Sequence, residues 1–205
     1  MVIKEFWDGR YSKPDYAYGK EPNVYFKEQL SKLKVGKLLL PAEGEGRNAV
    51  YAAKQGWTVD AFDWSNEAKK KAVALATENR VTINYQVGDL NSVQYKPAAF
   101  DVIALTYAHF TTDSITACHR KLITYLRKGG IVIFEAFSRN HIKYNSENKG
   151  AGGPKNPDML FTIEDIAKDF EGFDVIELVE KEVYLNEGSY HQGIGAVIRF
   201  MGRKK

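Results

Sequence analysis

Five apolar runs of strand length, spaced by segments with helical periodicity, limit the fold more than any other feature. Lys37 to Leu40, Trp57 to Phe62, Thr82 to Val87, Asp101 to Thr106 and Ile131 to Phe137 are rich in Val, Ile, Leu or aromatics. Gly46 to Gln55, Asn66 to Asn79 and Asp113 to Lys128 read as helices, the last stopped by Lys128, Gly129 and Gly130. Strands separated by helices of this length need crossover connections, so the sheet is mostly parallel and covered on both faces. The class is α/β, a single doubly wound domain over residues 1–205.

Two regions break the alternation. Residues 1–36 hold the aromatic-rich "FWDGRYSKPDYAYGKEPN" and a helix over Asn23 to Lys34 capped by Asn23, a cover for the domain. After the fifth strand, residues 138–158 are rich in Gly, Asn and Pro and read as a long loop or lid. Thr162 to Asp165 ("TIED") resembles a capping box. The segments Asp174 to Asn186 and Gln192 to Met201, within 174–202, form a β-hairpin around "NEGSY".

Composition narrows the partners. With 29 Lys plus Arg against 26 Asp plus Glu, the net charge of +3 is too small to argue for nucleic acid on its own, and no basic stripe with interleaved aromatics makes such a partner expected. The chain's single cysteine, Cys118, excludes an internal disulfide and suits a reducing compartment. No leader-like or membrane-length apolar run occurs, so the expectation is a cytoplasmic protein that does not enter a membrane. No motif speaks to oligomeric state, and no metal is implied.

Between the first strand and its helix, Gly44, Gly46 and Ala49 satisfy G-x-G-x-x-A, a turn that lets a ligand approach main-chain N–H groups. Asp63 ends the second strand, where a carboxylate accepts bonds from ribose hydroxyls; Ser65 is available as the cap of the next helix. Asp89 ends the third strand, placed for an adenine amino group. The turn also carries Glu43 and Glu45, which repel a pyrophosphate but receive an ammonium group. That charge favours S-adenosyl-L-methionine, with S-adenosyl-L-homocysteine as product, over NAD.

The order "AEGEGRN", "FDWS", "VGDL", "FDVIALTYAHF", "LRKGGIVIFEAF" resembles class I S-adenosylmethionine-dependent methyltransferases. It is most similar to the small tellurite-resistance-type and thiopurine-type members, including the aromatic "FWDGRYS…YAYGKEPN" and the closing "EGSYHQG". The resemblance covers nearly the whole chain and implies a seven-stranded Rossmann-like sheet with a C-terminal antiparallel hairpin. The family's acid in the first strand is missing, a place this reading gives to Leu40, and its role passes to Glu43. The resemblance implies that Gly44 and Gly46 approach the methionine moiety, that Asp63 holds the ribose, and that Gly88, Asp89 and Leu90 frame the adenine. Tyr107 and Phe110 are expected beside the sulfonium, and Tyr18, Glu45, Asn48 and Trp64 complete the expected cofactor contacts.

Methyl transfer from a sulfonium needs alignment more than acid–base help, so a base matters only for an acceptor that arrives protonated. His109 and His191 are the candidates, each with a bland alternative: His109 as a pocket-shaping residue, His191 without direct substrate contact. His119 and His141 are expected on the surface. Trp7, Arg139, Tyr144 and Tyr190 are the expected substrate-side residues, and Trp7, Tyr16 and Tyr18 the expected cover. The partner is a small-molecule methyl acceptor. Three alternatives stay open: methylation of RNA or protein, a nicotinamide-dependent oxidoreductase and a non-catalytic adenosine-ligand sensor. The only Tyr-x-x-x-Lys pair, Tyr16 with Lys20, precedes the glycine turn, which weighs against the oxidoreductase.

Overall fold

The computed structural model describes residues 3–110 and 115–205. Seven strands form one sheet in the order β3-β2-β1-β4-β5-β7-β6. Here β1 is Lys37–Pro41, β2 Thr58–Asp63, β3 Asn84–Val87, β4 Phe100–Thr106 and β5 Leu126–Phe137, all parallel. β6 (Phe173–Glu187) and β7 (His191–Lys204) form the hairpin, with β7 antiparallel to β5.

The central strands are buried on both faces, which is why they read as unbroken apolar runs rather than alternations. Leu38 and Leu40 of β1 and Val102 and Ala104 of β4 enter one core; it also holds Tyr25 and Phe26 of α2 (Val24–Leu30), Ala49 and Ala52 of α3 (Arg47–Lys54) and Ala72 of α4 (Asn66–Glu78). Leu39, Ile103 and Leu105 point the other way. They pack on Leu122 and Tyr125 of α5 (Ile115–Tyr125) and on Ile166 of α7 (Ile163–Asp169). Capping sets the helix starts. Asn23 accepts from Phe26 N at 2.8 Å, Ser65 from Ala68 N at 3.1 Å, and Thr162 with Asp165 closes a reciprocal box.

Three expectations need correcting. Residues 138–158 are not one long loop: α6 (His141–Glu147) and short 3-10 turns at Lys149–Ala151 and Pro157–Met159 occupy much of the segment. Lys128 to Gly130 do not cap a helix. They lie inside β5, where the pairing with β4 jumps from Leu126 to Ile131 and Gly129 takes φ 74°; of the expected helix start, Asp113 and Ser114 lie outside the described residues. Finally, the helix expected over Asn23 to Lys34 is shorter, Val24–Leu30, and the aromatic stretch before it is itself helical over Ile3–Tyr11 (α1), which lies on α4.

The hairpin overshoots the sheet. β5 pairs β7 only as far as Val197, so the strand from His191 onward and the end of β6 project past the C-terminal edge of the parallel strands. The projecting turn meets the N-terminal segment backbone to backbone. Ser189 N donates to Ala17 O at 3.0 Å, and a Cβ on Gly188 would stand 2.3 Å from Ala17 O and 2.6 Å from Gly19 N.

Candidate active site

The glycine turn closes on its own carboxylates. Gly44 (φ 64°) and Gly46 (φ 86°) both take left-handed backbone, which glycine adopts without strain. Gly44 N donates to Asp63 Oδ2 at 3.1 Å and Ser65 N to Asp63 Oδ1 at 2.9 Å. Gly46 is the N-cap of α3 and has no side chain to offer, so Glu43 does that work, accepting from Ala49 N at 2.8 Å. Burial pushes Glu43 up to about 7, against its bonds from Ala49 and Asn48, and Asp63 up to about 6, against those from Ser65 and Gly44. Neither carboxylate is in an ion pair among the described residues. Glu45 differs: it accepts from Ala17 N and from Lys71 Nζ, both at 2.7 Å, and so ties the N-terminal segment to α4.

Gly46 has a second reason to be glycine, because a Cβ there would lie 2.6 Å from Ala72 Cβ on α4. Tyr11 of α1 covers the turn, its hydroxyl 2.8 Å from where a Gly44 Cβ would stand, with Trp7 stacked on it at 5.4 Å. Past β3, Gly88 N donates to Asp63 O at 2.9 Å, which joins the second and third loops. The half-buried Asp89 folds onto its own turn and accepts from Asn91 N, Ser92 N and Ser92 Oγ. Burial raises its pKa, but these bonds outweigh that and leave it below the ordinary range. Leu90 is buried in the core, and Trp64 is half-buried beside Asp63.

A second cluster forms where the hairpin reaches back. Glu187 accepts from Arg47 Nη2 at 3.0 Å, His191 Nδ1 at 2.8 Å and Asn23 Nδ2 at 3.0 Å. Asn23 Nδ2 also reaches Glu135 at 2.7 Å, and Glu135 is paired with Arg199 at 2.7 Å. Asn48 Oδ1 holds Asn23 N at 2.9 Å. Burial raises Glu187, but Arg47 and His191 outweigh it and bring its carboxyl down to about 2. The His191 ring meets Tyr18 at 4.5 Å, Tyr107 at 4.6 Å and Phe137 at 5.1 Å. Arg10 lies over Tyr190 (4.2 Å) and Trp7 (5.2 Å) and donates to Tyr18 Oη at 2.7 Å, while Lys13 donates to Tyr190 Oη at 2.8 Å.

The expected residues therefore fall into three groups. Glu43, Gly44, Gly46, Asn48, Asp63 and Gly88 lie on the glycine turn or the loops joined to it; Tyr18 and Tyr107 flank His191, and Tyr190 and, from α1, Trp7 pack with Tyr18. Arg139 and Tyr144 are not brought to either group; Arg139 faces Asp165 at 3.9 Å on the surface and Tyr144 bonds Glu182 on β6. Phe110 packs on the core edge against His119. His109 stands against Phe137 and Phe161, both ring nitrogens buried without a partner of hydrogen-bonding geometry. Its pKa falls to about 4 because it is buried.

Two histidine expectations are overturned. His119 and His141 are fully buried, not on the surface. His119 Nδ1 bonds Asp169 at 2.7 Å, fastening α5 to α7, and His141 stacks on Phe137 at 3.9 Å with Nε2 on Gly152 O. The place two residues before Gly44 is Ala42 (φ 51°), not Leu40, whose side chain is core. Sequence reasoning missed Arg47, Glu187 and Tyr11. Arg47 and Glu187 lie 140 positions apart, so no local pattern marks the pair; the sole sequence signal was the length of the hairpin.

Residues 41–130 match the family described as a methyltransferase domain. No curated protein sequence matches it. Among solved structures, one from echinomycin biosynthesis, concerned with conversion of a disulfide bond into a thioacetal group, superposes with a TM-score of 0.78 at 18% identity, covering 99% of this chain and 92% of that one. Magnesium protoporphyrin IX methyltransferase from Synechocystis PCC 6803, with bound S-adenosylhomocysteine, gives 0.72 at 12% identity, covering 100% and 99%. TehB from Haemophilus influenzae gives 0.70 at 14% identity, covering 98% and 67%. At these identities the likeness is one of fold, and it agrees with the expected seven-stranded class I sheet and antiparallel hairpin.

Proposed function

We propose that this methyltransferase domain moves a methyl group from S-adenosylmethionine to a small-molecule acceptor. The observation that carries the reading is a pair of carboxylates held at the glycine turn, the half-buried Glu43 and the buried Asp63, neither of them in an ion pair among the described residues. Such groups fit a ligand that brings an ammonium and ribose hydroxyls, and they disfavour a pyrophosphate. S-adenosylmethionine supplies an electrophilic methyl on a sulfonium.

The chain does the rest by binding and shielding. Glu43 receives the ammonium, Asp63 accepts from the ribose, and Asp89 with Gly88 and Leu90 borders the adenine. Tyr107 offers its ring to the sulfonium, worth about 0.5–2 kcal/mol. α1, through Tyr11, Trp7 and Arg10, roofs the turn and excludes water, and the single domain over 1–205 closes between 1–36 and the hairpin. No helix among the described residues is long and apolar enough to cross a membrane, and the reducing cytoplasm suits Cys118.

Titration calorimetry with S-adenosylmethionine, S-adenosylhomocysteine and NAD tests the reading. Binding of both sulfur ligands without NAD is the expected result. Binding of NAD alone overturns it.

A further inference from the structure

His109 and His191 both stand against Phe137, and they are built differently. His109 has no side chain to orient it, and burial keeps it neutral with no carboxylate to receive a charge. His191 has one. Glu187 Oε2 lies 2.8 Å from His191 Nδ1, so the neutral ring carries its proton on Nδ1 and presents the lone pair of Nε2, which no hydrogen bond occupies among the described residues. Glu187 is itself fixed by Arg47 and Asn23, and the imidazole is held between the rings of Tyr18 and Tyr107.

We propose that His191, oriented by Glu187, is the general base that takes the proton from a neutral thiol or phenol acceptor. The proposal rests on the donor reading above, since it is Tyr107 that places the dyad one ring away from the sulfonium. In the step, the acceptor sulfur or oxygen forms the bond to the methyl carbon, and the methyl–sulfonium bond breaks with its electron pair left on sulfur. The acceptor proton passes to His191 Nε2 and is later lost to water.

The electrostatics suit a base that must be neutral before the step and charged after it. Burial lowers His191, and Glu187 opposes that fall; Arg47 on α3 and Arg10 on α1 lower it further. Tyr18, Tyr107 and, more distantly, His109 and His141 complete the titratable groups around it. Glu187 stays ionised throughout the physiological range and receives the imidazolium charge. This is the base-plus-orienter arrangement in which nucleophile activation is recognised by geometry rather than sequence order.

The test compares acceptors that arrive protonated with acceptors that arrive ionised. Full-length protein is assayed at pH 8 for S-adenosylhomocysteine formation with 2-mercaptoethanol and phenol, and with their more acidic counterparts thiophenol and 4-nitrophenol. In His191→Asn, turnover of the protonated member of the accepted pair should fall about 100-fold or more, and turnover of its ionised partner less than about 3-fold. Equal losses on both members, or no loss on either, overturn the proposal. So does wild-type protein that binds S-adenosylhomocysteine calorimetrically yet methylates none of the four; that outcome leaves the donor reading standing, whereas failure to bind removes both. If His191→Asn does not fold, His191→Gln carries the same test on the same acceptor pairs at pH 8.

Discussion

The glycine turn and the hairpin tip both bury carboxylates at the same edge of the sheet, yet they treat them in opposite ways. At the turn, Glu43 and Asp63 are bonded to main-chain N–H groups, form no ion pair among the described residues, and rise to about 7 and about 6. At the tip, Glu187 is bonded to Arg47, His191 and Asn23 and falls to about 2. The tip is electrostatically complete. On the proposed reading the turn is completed by a cationic ligand, whereas the tip is completed by the chain itself.

Removing a partner from the complete side should cost most. Glu187→Ala strands the buried Arg47 and should destabilise the protein by about 3–5 kcal/mol in urea unfolding. A loss under about 1 kcal/mol would mean that the tip pairing is ornamental.

The opposed shifts also predict a stability curve without ligand. Glu43 and Asp63 have folded pKa values above their unfolded ones, so the folded state binds more protons and stability falls as pH rises from about 4 to about 7, by about 3 kcal/mol for each group. Glu187 has the reverse sign: its contribution is present above its ordinary carboxylate pKa and is lost as pH falls toward about 2. Thermal midpoints across pH 3–8 should therefore peak near pH 4–5, and a plateau to pH 8 would remove the contrast.

Gly46→Ala sharpens the comparison from the backbone side. A methyl there meets Ala72 at 2.6 Å in a left-handed conformation, so a loss of about 2 kcal/mol or more in the same unfolding assay is expected, even without ligand. The smallest effect separates binding from folding. Glu43→Gln keeps an acceptor for Ala49 N, so stability at pH 4–5, where Glu43 is protonated, should change by less than about 1 kcal/mol, while at pH 8 S-adenosylhomocysteine binds about tenfold more weakly by calorimetry, a difference of about 1.4 kcal/mol.

The two regions also differ in how far the sequence reveals them. The turn is a local object: Gly44, Gly46, Asp63 and Asp89 stand at strand ends that the apolar runs mark out, so sheet, loops and acidic character are all readable in order. The tip is assembled from α3, β5, the hairpin and the segment around Asn23, and nothing near His191 in the chain announces Arg47 or Glu135. His119 and His141 mislead for the same reason. Each is buried by partners, Asp169 and Gly152, whose approach depends on the finished packing. The Gly-rich look of 138–158 hid α6, because Gly152 and Gly153 answer to close contact with Tyr190, His191 and Phe137 rather than to a lack of structure.

The meeting of Gly188 with Ala17 and Gly19 has a consequence in time. A ribosome delivers the glycine turn before the hairpin, so the proposed reaction chamber waits for the hairpin to return and lock against the segment around Ala17. On the proposed reading, a nascent chain without that late clasp has the carboxylates for a nucleoside but not the chamber in which its methyl group is spent.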